Sequence, residues 1–313
     1  MKAIVLQNYG SAADLRFQDM PVPEPTAEQV LVRIQATAVN HVDIGIGAGA
    51  FKNVFPLPFP WIPGYDLAGV IEAVGDGVQG FKMGDAVYGT SLAGGTYAEY
   101  IAISPQFIAL KPDTLDFMAA ASVPVSAETA WQVLFRHAGV TKGQTILIHG
   151  GAGAVGAYAV QMAHAAGAKV VVTASSKDKE FLERLGADEV IDHRSVAFET
   201  LVHAVDAVID LVGGEVQQRS YAVVKEGGYL ISVNQPVSAE MAAQYKIHAA
   251  FAELLPTHEG LARIAGQIDS GALTIGMGNV YPIQQAAEAW MELQGKPAPG
   301  REKKKGRIVL QLS

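Results

Sequence analysis

The stretch LIHGGAGAVG carries three glycines, Gly151, Gly153 and Gly156, in the spacing GxGxxG. That spacing suits one task, holding a pyrophosphate. The first glycine permits a tight turn, the second lets the backbone approach the phosphates, and the third lets a helix pack closely on the preceding strand. The anion then rests on unpaired N–H groups at the positive end of that helix. Ala152, Ala154 and Val155 belong to the same backbone cradle. A GxGxxG by itself is a weak signal. Here TILIHG before it reads as a short buried strand, and GAVGAYAVQMAHAAG after it as a helix with Val155, Ala159, Met162 and Ala166 on one face. A dinucleotide is the expected ligand, well ahead of a merely glycine-rich turn.

The next strand indicates which dinucleotide. A site selective for NADH carries Asp or Glu about 20 residues further on, to bind the ribose hydroxyls. That place is taken by Ser176, in VTASSKDK. Ser175, Ser176 and Lys177 would welcome a 2′-phosphate that a carboxylate would repel. Asp178 lies two residues further, where a loop could still bring it back. NADPH is therefore expected over NADH; a solvated polar loop without selectivity is the alternative. Metal chemistry finds little support in the composition. There is no cysteine, so thiolate zinc sites and disulfides are excluded, and the eight histidines include no HxxxH or HxH pair.

The elements that must position these residues come in two styles. Up to about residue 120, KAIVLQ, EQVLVRIQATAVN, LAGVIEAVG, DAVYG, TYAEYIAI and IALKP read as short β segments cut by Gly and Pro, the pattern of a rolled antiparallel barrel. TLDFMAAASVPVSAETAWQVLFRHAG then reads as helices broken at Pro124. From Thr145 strands alternate with helices: TILIHG, KVVVTAS, KDKEFLERLG, ADEVID, VDAVIDLVG and GGYLISV, with KIHAAFAEL as a candidate last strand. That alternation means a parallel, doubly wound sheet. After about Leu255, HEGLARIAGQIDSG and IQQAAEAWMELQG read as helices, and GRIVLQL as a closing strand expected to pack back on the first domain. The expected division is a catalytic domain of residues 1–120 and 256–313, with a cofactor domain of 121–255 inserted.

A chain of 313 residues, 50% hydrophobic and 17% charged, can bury two cores. Its net charge of −8 argues against a nucleic-acid binder. The dense basic run REKKKGR, Arg301 to Arg307, reads as a solvated loop. No stretch of about 20 apolar residues could span a bilayer, and the N-terminal apolar run is too short for a signal peptide. A cytoplasmic protein with no membrane partner is expected.

In MKAIVLQNYG, VNHVDI, IPGYDLAGVIEAVGDGV, GDAVYG, GGTYAEY, TAWQVL, ILIHGGAGAVG, LGADEVID, DLVGG, GGYLISV and KGRIVL, taken in order, the chain resembles the medium-chain dehydrogenase/reductase superfamily, and within it the zinc-free NADPH:quinone oxidoreductase branch. The resemblance covers nearly the whole length. It implies a GroES-like rolled β-barrel domain split around a Rossmann doubly wound domain. It implies that His193, in IDHR, helps hold the 2′-phosphate, with an ordinary strand-end histidine as the alternative. Thr129, in TAW, matches a threonine near the nicotinamide, or bonds its own helix. Val212, in DLVGG, and Asn234, after GGYLISV, are expected among the cofactor contacts.

The resemblance also frames the metal question. Zinc-dependent relatives place a Cys in the segment matching AVNHVD and a His in the turn matching Tyr65; here Asn40 or His41 and Tyr65 stand there, so no metal is expected. The pattern NxxD implies that Asn40 and Asp43 line the substrate site. Asn40 would donate a hydrogen bond to the acceptor carbonyl. Asp43 would orient neighbouring groups or cap a turn. Many relatives carry a tyrosine in the following loop, whereas GIGAGAFKNVFPLPFPW offers Phe51, Phe55, Phe59 and Trp61, as a flat apolar wall or as core filling. Either acid catalysis falls to Tyr65 or solvent, or the reaction needs no protein acid; Tyr65 could instead be a core aromatic, and Asp66 reads as an anchor for backbone or a cation. The expected activity is NADPH-dependent hydride transfer to quinones or α,β-unsaturated carbonyls, by a homodimer paired at the KIHAAFAEL edge. The alternatives are an NADPH-binding protein with little turnover and an acyl-thioester enoyl reductase.

Overall fold

The computed structural model describes every residue except Phe55, Ala298, Pro299, Arg301, Lys303 and Ser313. Phe55 of the aromatic loop and Arg301 and Lys303 of the basic run thus lie outside the described residues. The chain divides into two compact units, 1–125 with 256–313, and 126–255.

The first unit opens with an antiparallel pair, β1 (Lys2–Val5) and β2 (Arg16–Asp19). Its main sheet is built on β3 (Val30–Ala38), whose alternate residues are buried. Helix α1 (His41–Gly47) follows, then β4 (Asp66–Val74), β5 (Ala86–Thr90), β6 (Tyr100–Ile103) and β7 (Ile108–Leu110). Strand β3 pairs antiparallel with β4 and with β6, and β5 joins β4 to β7. Gly69 is where β4 and β3 come closest, since a Cβ there would lie 2.2 Å from the Arg33 carbonyl oxygen. Two helices, α2 (Phe117–Ala121) and α3 (Pro124–Trp131), lead into the second unit. Pro124 opens α3 in its first turn, where its missing N–H costs nothing.

The second unit is a six-stranded, all-parallel sheet: β8 (Thr145–His149), β9 (Lys169–Ala174), β10 (Glu189–Asp192), β11 (Val205–Asp210), β12 (Val224–Ser232) and β13 (His248–Phe251). Their spatial order is β10-β9-β8-β11-β12-β13. The order reverses direction between β8 and β11, and that switch point is where doubly wound sheets bind ligands. Helices α4 (Ala154–Ala165), α5 (Lys179–Arg184), α6 (Glu215–Ser220) and α7 (Ala239–Tyr245) connect the strands. Ile146, Leu147 and Ile148 of β8 are all buried, as a strand covered on both faces requires. At the unit's two ends, the Gln132 side chain donates to the Leu255 carbonyl (2.9 Å) and accepts its N–H (3.1 Å).

The chain then returns to the first unit with α8 (His258–Asp269), β14 (Met277–Pro282), α9 (Ala286–Leu293) and β15 (Arg307–Gln311). Strand β15 pairs antiparallel with β3, Val309 facing Ala38, and parallel with β14. That parallel pair departs from the purely antiparallel expectation. The basic run is corrected too: its last member, Arg307, is not solvated but buried in β15. Strands β2 and β14 and helices α1, α6 and α7 escaped the periodicity reading. Helix α1 has the sequence HVDIGIG, a poor helix former on propensity alone; the Asp43 carboxylate starts it by accepting the N–H of Asn40.

Candidate active site

Two groups of residues carry the chemistry, one in each unit. In the second unit, a cavity of about 540 Å³ opens at the carboxyl ends of β8, β9 and β11. His149, Gly150, Ala152 and Gly153 line it from β8 and the turn that follows, and Thr173, Ser175 and Lys177 from the end of β9. Helix α4 starts here with Gly153 as its N-cap. The first-turn N–H groups of a helix have no partner within it, so this end offers donors and positive potential to an anion.

The glycines divide the work differently from expectation. The left-handed turn residue is Gly150, with φ of +75°. Gly151 is needed because a Cβ would lie 2.1 Å from Val172 Cγ1, and Gly156 because its Cβ would lie 2.4 Å from the Gly150 carbonyl oxygen. Gly153 is the least confined, with 3.2 Å to its nearest neighbour. A cradle that no side chain could share is what a close-lying pyrophosphate requires, so these residues fit a dinucleotide.

Lys177 and His193 reach the cavity, and Arg194 and Arg219 join them. Asp178 lines it as well, brought back by the 3-10 turn of Ser176–Asp178. Ser176 does not line the cavity; its side chain bonds Asp192, whose carboxyl the Arg194 N–H and then this bond hold below its ordinary range. Val212 lines the cavity, whereas Asn234 does not, because its Nδ2 donates to the Leu211 carbonyl (2.8 Å). Thr129 lies half-buried on α3, outside the cavity lining. Arg194 stood in the sequence beside His193, but nothing in its local pattern distinguished it from a solvated loop cation.

His149, unremarked in the sequence, forms part of the cavity wall. It is fully buried between the Thr173 hydroxyl (2.9 Å from Nδ1) and the Ser220 hydroxyl (3.0 Å from Nε2). Burial pushes its pKa down to about 4, so the imidazole is neutral, one nitrogen donating and the other accepting.

In the first unit, Asn40, Asp43, Asp66, Tyr97, Trp290 and Arg307 form a buried polar cluster. Asp43 Oδ2 accepts the Asn40 backbone N–H and the Tyr97 hydroxyl, both at 2.8 Å. The Tyr97 hydroxyl in turn accepts from Trp290 Nε1 (3.2 Å). Asp43 Oδ1 is buried with no hydrogen-bond partner among the described residues. Burial pushes the Asp43 carboxyl up to about 7, against the pull of the Asn40 and Tyr97 bonds. Asp66 Oδ1 accepts the Val125 N–H (2.7 Å), and its Oδ2 accepts from Asn40 Nδ2 (2.9 Å) and Arg307 Nη2. Burial raises the Asp66 carboxyl as well, and Arg307 chiefly opposes it.

This geometry corrects two expectations. Asn40 does not offer its amide to an acceptor, because Nδ2 points at Asp66 and at the Ala38 carbonyl (3.3 Å). Asp43 does not line an open site, since it is wholly inaccessible; it is the acid that closes the turn into α1. Tyr97 and Arg307 stand in GGTYAEY and KGRIVL, motifs that do not say what their side chains meet, and Trp290 stands 193 residues from Tyr97, so the cluster was missed.

Tyr65 sits in the turn that Gly64 makes with φ of +98°, where a Cβ would collide with Tyr97 and Thr96. The ring is half-buried against the hydrophobic core, and its hydroxyl has no hydrogen-bond partner among the described residues. Burial, and then the Asp43 charge, hold the phenol above its ordinary pKa. The aromatic loop is divided. Trp61 is core, donating from Nε1 to the Ala93 carbonyl (3.1 Å); Phe59 packs edge-on against Tyr9 (4.9 Å); Phe51 is exposed. The Tyr9 hydroxyl accepts the Leu57 N–H (2.9 Å), so a tyrosine from outside the loop holds it.

Comparison with known proteins agrees with this architecture. Residues 26–113 match the model of the alcohol dehydrogenase GroES-like domain, and residues 185–302 match that of the zinc-binding dehydrogenases. An NADPH-dependent alkenal/one oxidoreductase of Arabidopsis thaliana is 34% identical, over 96% of this chain and 78% of its own. A quinone oxidoreductase of Rattus norvegicus is 33% identical over 92% of each chain. A 2-methylene-furan-3-one reductase of Solanum lycopersicum is 42% identical over 250 residues, which are 76% of this chain and 63% of the relative's length. Among solved structures, the quinone oxidoreductase of Coxiella burnetii superposes with a TM-score of 0.90 at 31% identity, covering 100% of this chain and 99% of the other. The fold and the site define a nicotinamide-dependent oxidoreductase of two-unit type. The chain belongs to the medium-chain dehydrogenase/reductase superfamily.

The zinc in the name of one matching model does not fit these residues. There is no cysteine in the chain, and Asn40 and Asp66 spend their polar atoms on one another and on Arg307. Among the described residues no group of three or more His, Asp or Glu is placed to hold a metal ion.

Proposed function

We propose that this protein is an NADPH-dependent, zinc-independent reductase of quinones and α,β-unsaturated carbonyl compounds. The observation that carries the reading is the cavity at the start of α4. Its glycine cradle would hold a pyrophosphate, and Ser175, Lys177, His193 and Arg194 also line it and would receive a 2′-phosphate. Among the described residues Asp178 is the single carboxylate lining it, against those cations. When bound, the reduced nicotinamide supplies the hydride. The resemblance assigns Thr129 to the nicotinamide end.

The chain's own part in the reaction is to position the acceptor and to supply a proton. Tyr65 is the donor in this reading. Its phenol stays protonated through the neutral range because burial and Asp43 disfavour the phenolate, and its hydroxyl is not spent on another described residue. It would donate to the acceptor oxygen as negative charge gathers there. Asn40, Asp66 and Arg307 fix the backbone around that turn and do not touch the acceptor. The relatives, named for quinone, alkenal and furanone chemistry, support this reading over the low-turnover and acyl-thioester readings.

No helix among the described residues is long and apolar enough to cross a membrane. We place the protein in the cytoplasm as a homodimer. The support for the dimer is β13, which lies at the sheet edge with Phe251 38% exposed, and unpaired edges invite a second copy. Sedimentation equilibrium at micromolar concentration tests it. The catalytic reading is tested by following NADPH oxidation with ring quinones, linear enones and enals, and repeating the series with NADH. Turnover with at least one class, faster with NADPH, is expected; no oxidation across the whole panel refutes it.

A further inference from the structure

The cations that line the cofactor cavity are not alike. Lys177 and Arg194 are in no ion pair among the described residues. Arg219, on α6, is already neutralised: its Nη1 donates to both carboxylate oxygens of Glu199, at 2.8 and 3.2 Å. Its guanidinium carbon lies 5.1 Å from the centre of the Phe198 ring. Phe198 is buried and meets His149 edge-on at 4.5 Å, and His149 is pinned by Thr173 and Ser220. Arg219 is thus the outermost layer of a column anchored on the ends of β8 and β9. The apolar side chains of Val212 and Val216 line the same cavity.

A guanidinium in this state is a poor ligand for a further anion, because Glu199 already balances its charge. It is a good ligand for a flat ring. One face is spent on Phe198, one edge is held by Glu199, and the orientation is fixed before anything binds, so stacking costs little side-chain entropy. The adenosine ribose belongs at the carboxyl end of β9, and the flat, uncharged group attached to it is the adenine.

We propose that Arg219 is the platform on which the adenine of the cofactor stacks. It contributes affinity for the adenosine half and does not distinguish NADPH from NADH; Lys177 and Arg194, which carry free charge, do that. This inference rests on the reading of the cavity as the NADPH site.

The test compares the wild type with Arg219→Ala, Arg219→Lys and Arg219→Trp, using NADPH, NADH and reduced nicotinamide mononucleotide as donors and a saturating quinone as acceptor. Reduced nicotinamide mononucleotide has no adenosine. The Ala and Lys variants should raise KM for NADPH and NADH by a common factor, on the order of five- to thirtyfold, the range of a partly desolvated cation–π contact. The Trp variant, which keeps a plane without the charge, should recover part of that loss. The constants for reduced nicotinamide mononucleotide should move by less than about twofold. A rise confined to NADPH would make Arg219 a phosphate ligand and overturn the inference. An equal rise with all three donors would reduce it to a structural residue, and no rise would remove it altogether. Wild-type protein that neither binds nor oxidises NADPH would instead defeat the underlying reading of the cavity.

Discussion

Asp43→Asn offers the sharpest test of the buried cluster. The native carboxyl is fully inaccessible, and burial raises its pKa from 3.8 to about 7. Between those values the unfolded chain has lost its proton while the folded protein keeps it. Stability therefore falls as pH rises, from a contribution fully present below 3.8 to one lost as pH passes about 7. The width of that interval, converted at 1.36 kcal/mol per pK unit, gives about 4 kcal/mol between the two extremes. Most of the change falls between pH 4 and 7. Asparagine keeps an acceptor for the Asn40 N–H and the Tyr97 hydroxyl but has no charge to bury. The assay is urea denaturation of both proteins at half-unit pH steps from 4.5 to 8, reading the difference between them so that other titrating groups cancel. The variant should gain on the wild type steadily as pH rises, by a few kcal/mol in all. A difference flat to within about 0.5 kcal/mol would mean that Asp43 is ionised throughout and that Tyr97 and the α1 backbone outweigh burial.

The remaining tests are simpler. His149, whose pKa burial lowers to about 4 from 6.5, contributes stability that is present above 6.5 and lost as pH falls through about 4. His149→Gln should abolish a loss of about 3 kcal/mol on acidification, seen as a converging pair of denaturation midpoints. Lys177→Ala and Arg194→Ala should each raise KM for NADPH about tenfold or more while leaving NADH within about twofold; equal effects on both cofactors would remove them from the phosphate site. Tyr65→Phe should cut turnover with enones by about a hundredfold without shifting the melting temperature, and unchanged turnover would leave Tyr65 only a packing role. Arg307→Met, which strands the buried Asp66 carboxylate, should cost about 3–5 kcal/mol in denaturant titrations, and adding Asp66→Asn should recover much of it.

The sequence by itself determined the architecture. Strand β8, the glycine cradle and α4 are continuous in the chain, and the pattern that marks them, apolar run, glycines, amphipathic run, is local. The alternation of strands and helices after Thr145 likewise specifies a parallel sheet. Lys177 was legible as a cavity residue for the same reason, because it follows closely on a strand of that sheet, whereas His193 came from the family resemblance.

Tertiary structure decided what the polar side chains do. Asn40 looked like a substrate ligand in VNHVD, with Asp43 beside it in the cleft, yet Asp66 had already claimed the Asn40 amide and Tyr97 the Asp43 carboxyl. Ser176 looked like a phosphate ligand and turned to Asp192. Arg307 looked like one charge in a solvated run until β15 paired with β3 and buried it beside Asp66. Arg219 and Phe198 were silent in the sequence because their meaning lies in a column assembled from strand ends and a distant helix. The reason is common to all of them. A strand or helix is specified by neighbours a few residues away, whereas a buried donor or charge must be satisfied by whatever the fold brings within about 3 Å, from any part of the chain.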